Sequence, residues 1–350
     1  MLILNCFSPD LILRQSARNA VPEIWKNNPA GSVRYPAATV TPGVPCRICV
    51  HPPDTAAAGI ADAGNIDMNK QELINALESL GMRPGRGLGQ NFLLDGNLLE
   101  WIVRNSGAAC GDNVLEVGPG FGALTEKMVD AGFNVTAVEF DHRLAEYLRK
   151  RFHGVKNFKL VEADACKVDY DELFPAGTAY RSVANLPYAI SSVFIAKIVE
   201  SANQPVSMFF MLQKEMGERL AAGPGTKAYG ALSVRTQLFY DVEIAKIVPP
   251  QVFCPPPEVD SALVAFVRNC RTAENIHPEL FTPLVRNLFN QRRKQIGKVL
   301  GQAIGSKEKA ARILADCGFA PELRPDKLSV DDFIKLADSV CANGCTTIRG

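Results

Sequence analysis

The sequence predicts an α/β fold, a mainly parallel sheet flanked by helices and followed by a small all-helical C-terminal domain. Seven short apolar runs are the strand candidates: Asn113–Val117, Asn134–Val138, Phe158–Val161, Arg181–Ala184, Val206–Leu212, Gln237–Val242 and Ala262–Val267. Helix-like segments separate the first five, and this alternation favours parallel strands joined by crossover helices. The last two runs are closer together and read as an antiparallel edge hairpin. Beyond Arg268 strand signals cease, and Pro278–Leu288, Gln291–Gly301, Lys307–Cys317 and Val330–Val340 read as helices.

At 350 residues the chain has room for two domains or for one domain and an extension. Residues 1–67 are rich in Pro, Ala and Gly and lack sustained periodicity, so they are expected to be a disordered extension. Patterned sequence begins at Met68, with Leu73, Leu77 and Leu80 on one face of an amphipathic segment from Gln71. The native start is therefore expected at Met68, with the upstream residues a translated leader. A targeting peptide is the alternative, because Arg14, Arg18, Lys26, Arg34 and Arg47 outnumber the early acids. The expected division is 68–268 for the α/β domain, 269–340 for the helical domain and 341–350 for a tail.

A net charge of +1 excludes nucleic-acid binding through global charge, so any such binding needs a local basic patch. No run approaches the ~18 apolar residues of a membrane span. The ten cysteines sit mostly in apolar contexts without a secretory signal, which favours a reduced, cytoplasmic protein. Cys46-x-x-Cys49 and Cys341-x-x-x-Cys345 lie at opposite ends of the chain with no further ligand pattern, so no metal is expected.

Polar residues stand at successive predicted strand ends. The first strand runs into Glu116-Val117-Gly118-Pro119-Gly120-Phe121-Gly122, where glycines let a ligand approach the backbone. The G-x-G spacing leaves nucleotide, flavin and adenosylmethionine binding open. Glu116 could anchor a ligand's ammonium group or cap the turn. The second strand ends at Glu139, a position suited to a carboxylate that bridges ribose hydroxyls. The third ends at Ala163-Asp164, where a carboxylate could take an adenine amino group. The fourth ends in Asn185-Leu186-Pro187-Tyr188, an amide, a rigid proline and an aromatic that suit the floor of a nucleobase pocket. Each alone could be a helix cap or a solvated turn. Four in register point to one ligand edge.

Together with Gly89-Gln90-Asn91-Phe92-Leu93, these motifs resemble the ribosomal RNA adenine N6-dimethyltransferases. The same family pattern is similar to Met211-Leu212-Gln213-Lys214-Glu215, Tyr229-Gly230-x-Leu232-Ser233-Val234 and the Val248-Pro249-Pro250 to Ser261 segment with Phe253, Pro255 and Pro257. The resemblance runs from about Met68 to Val340. The segments Phe289-x-x-Arg292-Arg293-Lys294 and Arg324-Pro325-x-x-Leu328-Ser329 favour the bacterial small-subunit branch. It departs from the family pattern at Ala189, at Val193-Phe194 and at Glu258.

The resemblance implies a Rossmann-like, seven-stranded methyltransferase sheet and S-adenosylmethionine as methyl donor. It implies cofactor contacts at Asn91, Leu93, Gly118, Gly120, Glu139, Asp164 and Asn185. The reaction implied is in-line displacement at the sulfonium methyl by an adenine amino nitrogen, with acceptors at the Asn185 side chain and the Leu186 carbonyl and with Pro187 fixing the chain. Tyr188 and Phe253 are the candidates for stacking the flipped base. Arg83 and Arg86, and Arg286, Arg292, Arg293, Lys294 and Lys298, are the candidate RNA contacts, some on a shared helical face. The implied partner is the small ribosomal subunit with its rRNA, no membrane is expected, and the chain should act as a monomer. A large-subunit rRNA adenine methylase of the antibiotic-resistance type and a non-catalytic assembly or transcription factor are the alternatives.

Overall fold

The computed structural model describes residues 70–82, 91–269, 271, 278–345 and 347–348. The extension 1–67 with Cys46 and Cys49, the residues Gly89 and Gln90, and both Arg83 and Arg86 lie outside the described residues.

The strands are β1 (Phe92–Leu93), β2 (Asn113–Val117), β3 (Asn134–Glu139), β4 (Phe158–Glu162), β5 (Tyr180–Asn185), β6 (Ser207–Gln213), β7 (Tyr240–Val248), β8 (Phe253–Cys254) and β9 (Ser261–Arg268). The helices are α1 (Lys70–Ser79), α2 (Gly96–Asn105), α3 (Ala123–Asp130), α4 (His142–Arg151), α5 (Tyr170–Leu173), α6 (Ser191–Ile198), α7 (Lys214–Leu220) and α8 (Ala231–Gln237). Four more follow: α9 (Pro278–Asn290), α10 (Ile296–Ile304), α11 (Lys307–Asp316) and α12 (Val330–Ala342).

Seven strands form one sheet in the order β4-β3-β2-β5-β6-β9-β7. The pairs among β4, β3, β2, β5 and β6 are parallel, whereas β9 is antiparallel to both β6 and β7. β6 lies between β5 and β9, and its Ser207–Leu212 stretch is buried on both faces, hence the unbroken apolar run. The expected antiparallel pair is present, but the strand starts later than the apolar run. Gln237 closes α8 and donates to the Leu220 and Ala222 carbonyls, and β7 begins at Tyr240. A two-stranded ladder pairs β1 with β8, Phe92 opposite Cys254 and Leu93 opposite Phe253.

Helices start where side chains satisfy their first amides. Asp95 accepts from the Leu98 N–H ahead of α2, and Asp141 from the Arg143 N–H ahead of α4. One buried cluster joins the sheet, through Leu115, Val138 and Phe210, to Phe194, Ile195 and Ile198 of α6. A second fills the helical bundle with Leu284, Val299, Ile313 and Phe333, and it also takes in Tyr229, Val234 and Leu238 from the α8 region. Across this seam the buried Arg235 sits 2.7 Å from Glu200, whose carboxylate also accepts from Thr282 at the start of α9. Paired and hydrogen-bonded in this way, the buried charge is tolerated. α10 starts at Ile296 rather than Gln291, because residues 291–294 form a turn after α9. Among the described residues no helix is long and apolar enough to cross a membrane.

Candidate active site

The carboxyl ends of parallel strands share one sheet edge, where open α/β folds bind ligands. β2 runs out at Val117 into a loop whose Gly118, Gly120 and Gly122 have φ of 69°, 59° and 82°. A Cβ on Gly118 would lie 2.9 Å from the Pro187 ring, so the loop and the tetrapeptide after β5 nearly touch.

β3 ends at Glu139, which is buried. Its carboxylate accepts backbone N–H groups from Phe140 at 2.8 Å, Asp141 at 2.9 Å and Gly120 at 3.3 Å. Burial raises its pKa, and the three N–H donors pull in the opposite direction. Glu116 is 2 % exposed. Burial pushes its carboxyl up to about 8, against a 2.5 Å hydrogen bond donated by the Thr125 hydroxyl, with the Glu139 charge adding to the rise. Asp164 follows β4 by two residues, accepts the Cys166 N–H at 2.9 Å and lies 3.4 Å from Lys167.

Asn185 ends β5 and donates from Nδ2 to the Asn91 carbonyl at 3.1 Å. That contact assigns the amide's orientation and leaves Oδ1 as an acceptor. The Leu186 N–H bonds to the Met211 carbonyl of β6, fixing the segment that follows. The Tyr188 hydroxyl lies 2.6 Å from that of Ser261 on β9, which anchors the ring from its far end.

Two cavities open along this edge. One is lined by Asn91, Leu93, Glu116, Gly118, Gly120, Glu139 and Asn185 to Tyr188, among others. The second is lined by Phe140, Asp141, Ala163, Asp164 and Ile190. Gly118, Glu139 and Pro187 line both and form the shared wall. The strand-end residues predicted from sequence therefore converge. A ligand spanning the wall would meet acceptors along its length: Asp164 in one cavity, Glu139 between them and Asn185 in the other.

Phe253 departs from the expectation. It is 4 % exposed and absent from the lining of either cavity, because β8 turns its residues into the ladder with β1. It stands opposite Leu93 in that ladder, with its ring buried rather than presented to a base in this structure. Conversely, Phe140 was not singled out from the sequence and is 70 % exposed beside Asp164. Its signal was an aromatic between two acids at a strand end, where a polar turn residue is usual.

The basic candidates divide. Arg286, Arg293 and Lys298 are exposed and make no ion pair among the described residues. Arg286 shares a groove with Lys167, Lys197 and the exposed Val193. Lys294 bonds to Gln291 at 2.7 Å. Arg292 is committed to the fold, donating at 2.8 Å to both the Thr226 and the Lys227 carbonyls and lying 3.6 Å from Asp326. The group does not share one helix face, since α9, a turn and α10 each carry part of it.

Residues 84–341 match the family model for ribosomal RNA adenine dimethylase. The Ribosomal RNA small subunit methyltransferase A of Ligilactobacillus salivarius is 39% identical over 277 residues, covering 77% of this chain and 94% of that protein. Its counterpart from Pseudomonas fluorescens is 41% identical over 256 residues, covering 72% and 91%. A dimethyladenosine transferase from Plasmodium falciparum superposes with a TM-score of 0.64 at 26% identity, covering 73% of this chain and 98% of that one. The 23S rRNA methyltransferase ErmE shares the fold, with a TM-score of 0.55 at 24% identity over 72% of this chain and 100% of its own. With its strand-end ladder intact and the family pattern spanning both sheet and helices, the chain belongs to the ribosomal RNA adenine dimethylases.

Proposed function

We propose that the chain uses S-adenosylmethionine to dimethylate N6 of two adjacent adenosines near the 3′ end of small-subunit rRNA, as a step in ribosome biogenesis. The observation that carries the reading is the meeting of Asn185, left as an acceptor by its bond to Asn91, with Gly118 and Glu139 in the lining of one cavity. The small-subunit substrate rests on the names of relatives at 39% and 41% identity.

The residues fit the methyl donor. A Cβ on Gly118 would close the gap to Pro187, and the cavity holding Glu116 and Glu139 is lined by no lysine or arginine among the described residues, as suits a cationic ligand. Asp164 would take the adenine amino group, with Phe140 against the ring, and Glu139 the ribose diol. Asn91 and Leu93 would close the far side. When bound, S-adenosylmethionine supplies a methyl group made electrophilic by its sulfonium sulfur.

On the acceptor side, an adenine's amino nitrogen is a weak nucleophile because its lone pair is delocalised into the ring. Asn185 Oδ1 and the Leu186 carbonyl would accept its two hydrogens and favour the pyramidal, nucleophilic form. Pro187 restricts Leu186 to an extended backbone and so aims that carbonyl. Positioning and desolvation supply the acceleration, and orientation of this kind is worth on the order of 7–11 kcal/mol. The target base leaves its stack to enter. Tyr188, held by Ser261, offers it a face, and Tyr188→Ala should weaken RNA binding by roughly 1–3 kcal/mol per stacked base, read as a raised KM for RNA with cofactor affinity unchanged.

In this reading 68–268 carries the chemistry and 269–340 docks rRNA, with α8 belonging to both cores. Arg293→Ala and Lys298→Ala should weaken RNA binding and flatten its salt dependence while leaving stability unchanged. Arg292→Ala should instead lower stability by about 0.5–1.5 kcal/mol in chemical denaturation, since it loses two exposed hydrogen bonds that water only partly replaces. The test of the whole reading is to incubate the chain with labelled S-adenosylmethionine and small or large subunits lacking the modification. Label in two adjacent adenines of small-subunit RNA is expected, and transfer only to large-subunit RNA would overturn it.

A further inference from the structure

Glu116 is a buried acid that the transfer step does not use. It lines only the cavity with Asn91, Leu93 and Asn185, not the one with Asp164. A ligand with adenine beside Asp164 and ribose at Glu139 must send its amino-acid tail into the Glu116 cavity, because adenine and tail leave the ribose from opposite ends. The titratable lining of that cavity is Glu116, Glu139 and Tyr188, with no basic side chain among the described residues. Facing Glu116 from α3 is the Thr125 hydroxyl, and from β3 the Glu139 carboxylate. The other α3 charges are turned elsewhere, Lys127 toward Glu100 and Glu126 toward Arg151, with Asp130 exposed at the helix end. Arg83 and Arg86, in the segment before Asn91, are outside the described residues.

We propose that Glu116 exchanges its proton for the ammonium group of the methyl donor's amino-acid tail, so that cofactor binding and proton release are one event. The proposal rests on the adenosylmethionine reading above. Two buried carboxylates without a cation cannot both be charged at low cost, and Glu116, the deeper one, holds the proton until a cationic ligand arrives. An arriving ammonium ion supplies the missing charge. The carboxyl O–H bond breaks, its proton leaves to solvent, and the carboxylate keeps the Thr125 hydrogen bond while it pairs with the ammonium. The paired carboxylate and ammonium together carry the same net charge as the neutral carboxyl they replace. That is why a site of this kind admits an amino acid without first having to strip water from a bare anion.

Calorimetric titration of the full chain with S-adenosylhomocysteine, in buffers of different ionisation enthalpy, reads the proton directly. With the Glu116 carboxyl at about 8, nearly one proton should leave per ligand at neutral pH, and Kd should fall about tenfold per pH unit until it levels near 8. Methylthioadenosine keeps the adenine and ribose but has no ammonium group, so it should bind without proton release. Glu116→Gln should bind S-adenosylhomocysteine with no proton release and a flat pH profile. Thr125→Val keeps the acid but removes its donor, so its levelling point should move to higher pH. A second readout needs no ligand. The raised carboxyl stabilises the fold below its ordinary value of 4.5, and this contribution is lost as pH rises toward about 8. The melting temperature of the unliganded chain should accordingly fall relative to Glu116→Gln across that interval. Tight binding of S-adenosylhomocysteine without proton release, or release that persists in Glu116→Gln, would overturn the proposal alone. Failure of both ligands to bind would overturn the cofactor reading and the proposal with it.

Discussion

Asn185→Ala is expected to lower methyl transfer by on the order of 10²–10³-fold, the loss typical when one preorganised hydrogen-bonding group is removed from a reacting centre. The substitution deletes the Oδ1 acceptor and leaves the amino nitrogen in its planar, delocalised form. It also removes the Nδ2 bond to Asn91, a neutral hydrogen bond worth about 0.5–1.5 kcal/mol, so cofactor affinity should weaken by no more than about tenfold. The two effects separate experimentally: single-turnover transfer of labelled methyl reads the first, and calorimetric Kd reads the second. Unchanged turnover would refute the role of Asn185. A turnover loss that merely matched the loss of affinity would assign the residue to cofactor binding alone.

Gly118→Ala should damage cofactor binding and turnover together, by on the order of 10²-fold or more in kcat/KM, the scale of an ångström-level misplacement. Two causes add. An alanine at φ 69° carries about 1–2 kcal/mol of left-handed strain, and its Cβ would press on Pro187 from 2.9 Å. Pro187 is a ring fused to the backbone and cannot swing away as a flexible side chain would. Either the glycine loop or the tetrapeptide must shift, and both line the wall between the cavities. Gly154→Ala is the control. Its φ is 80° but nothing lies within 4 Å of the added Cβ, so only stability should fall. Equal effects of the two substitutions on kinetics would rule out the close approach as the cause.

Much of the site was legible because sheet geometry converts sequence position into space. Once the runs before Gly118, Glu139, Asp164 and Asn185 are parallel strands, their ends are neighbours, and no long-range contact has to be guessed. What could not be read were facts that depend on distant partners. Arg292 looks like any member of a basic cluster until its carbonyl partners are seen 65 and 66 residues upstream. Phe253 looks equally suited to stacking and to burial, and only its burial in the folded chain tells them apart. The late start of β7 has a local origin. The apolar Leu238-Phe239-Tyr240 directly follows Gln237, so periodicity alone does not mark where helix gives way to strand.

The β1–β8 ladder has a consequence for the rhythm of the reaction. It joins Asn91–Leu94, which line the Glu116 cavity, to the segment after β7 by two residue pairs and a 3.2 Å bond from the Leu94 N–H to the Val252 carbonyl. These bonds are each worth about 0.5–1.5 kcal/mol and are fewer than those of any strand of the main sheet. Two methyl groups on one nitrogen require spent cofactor to be replaced between transfers. A displacement of Asn91–Leu94 would cost these few bonds and the Asn185 bond to Asn91, and none of the pairings of the seven-stranded sheet.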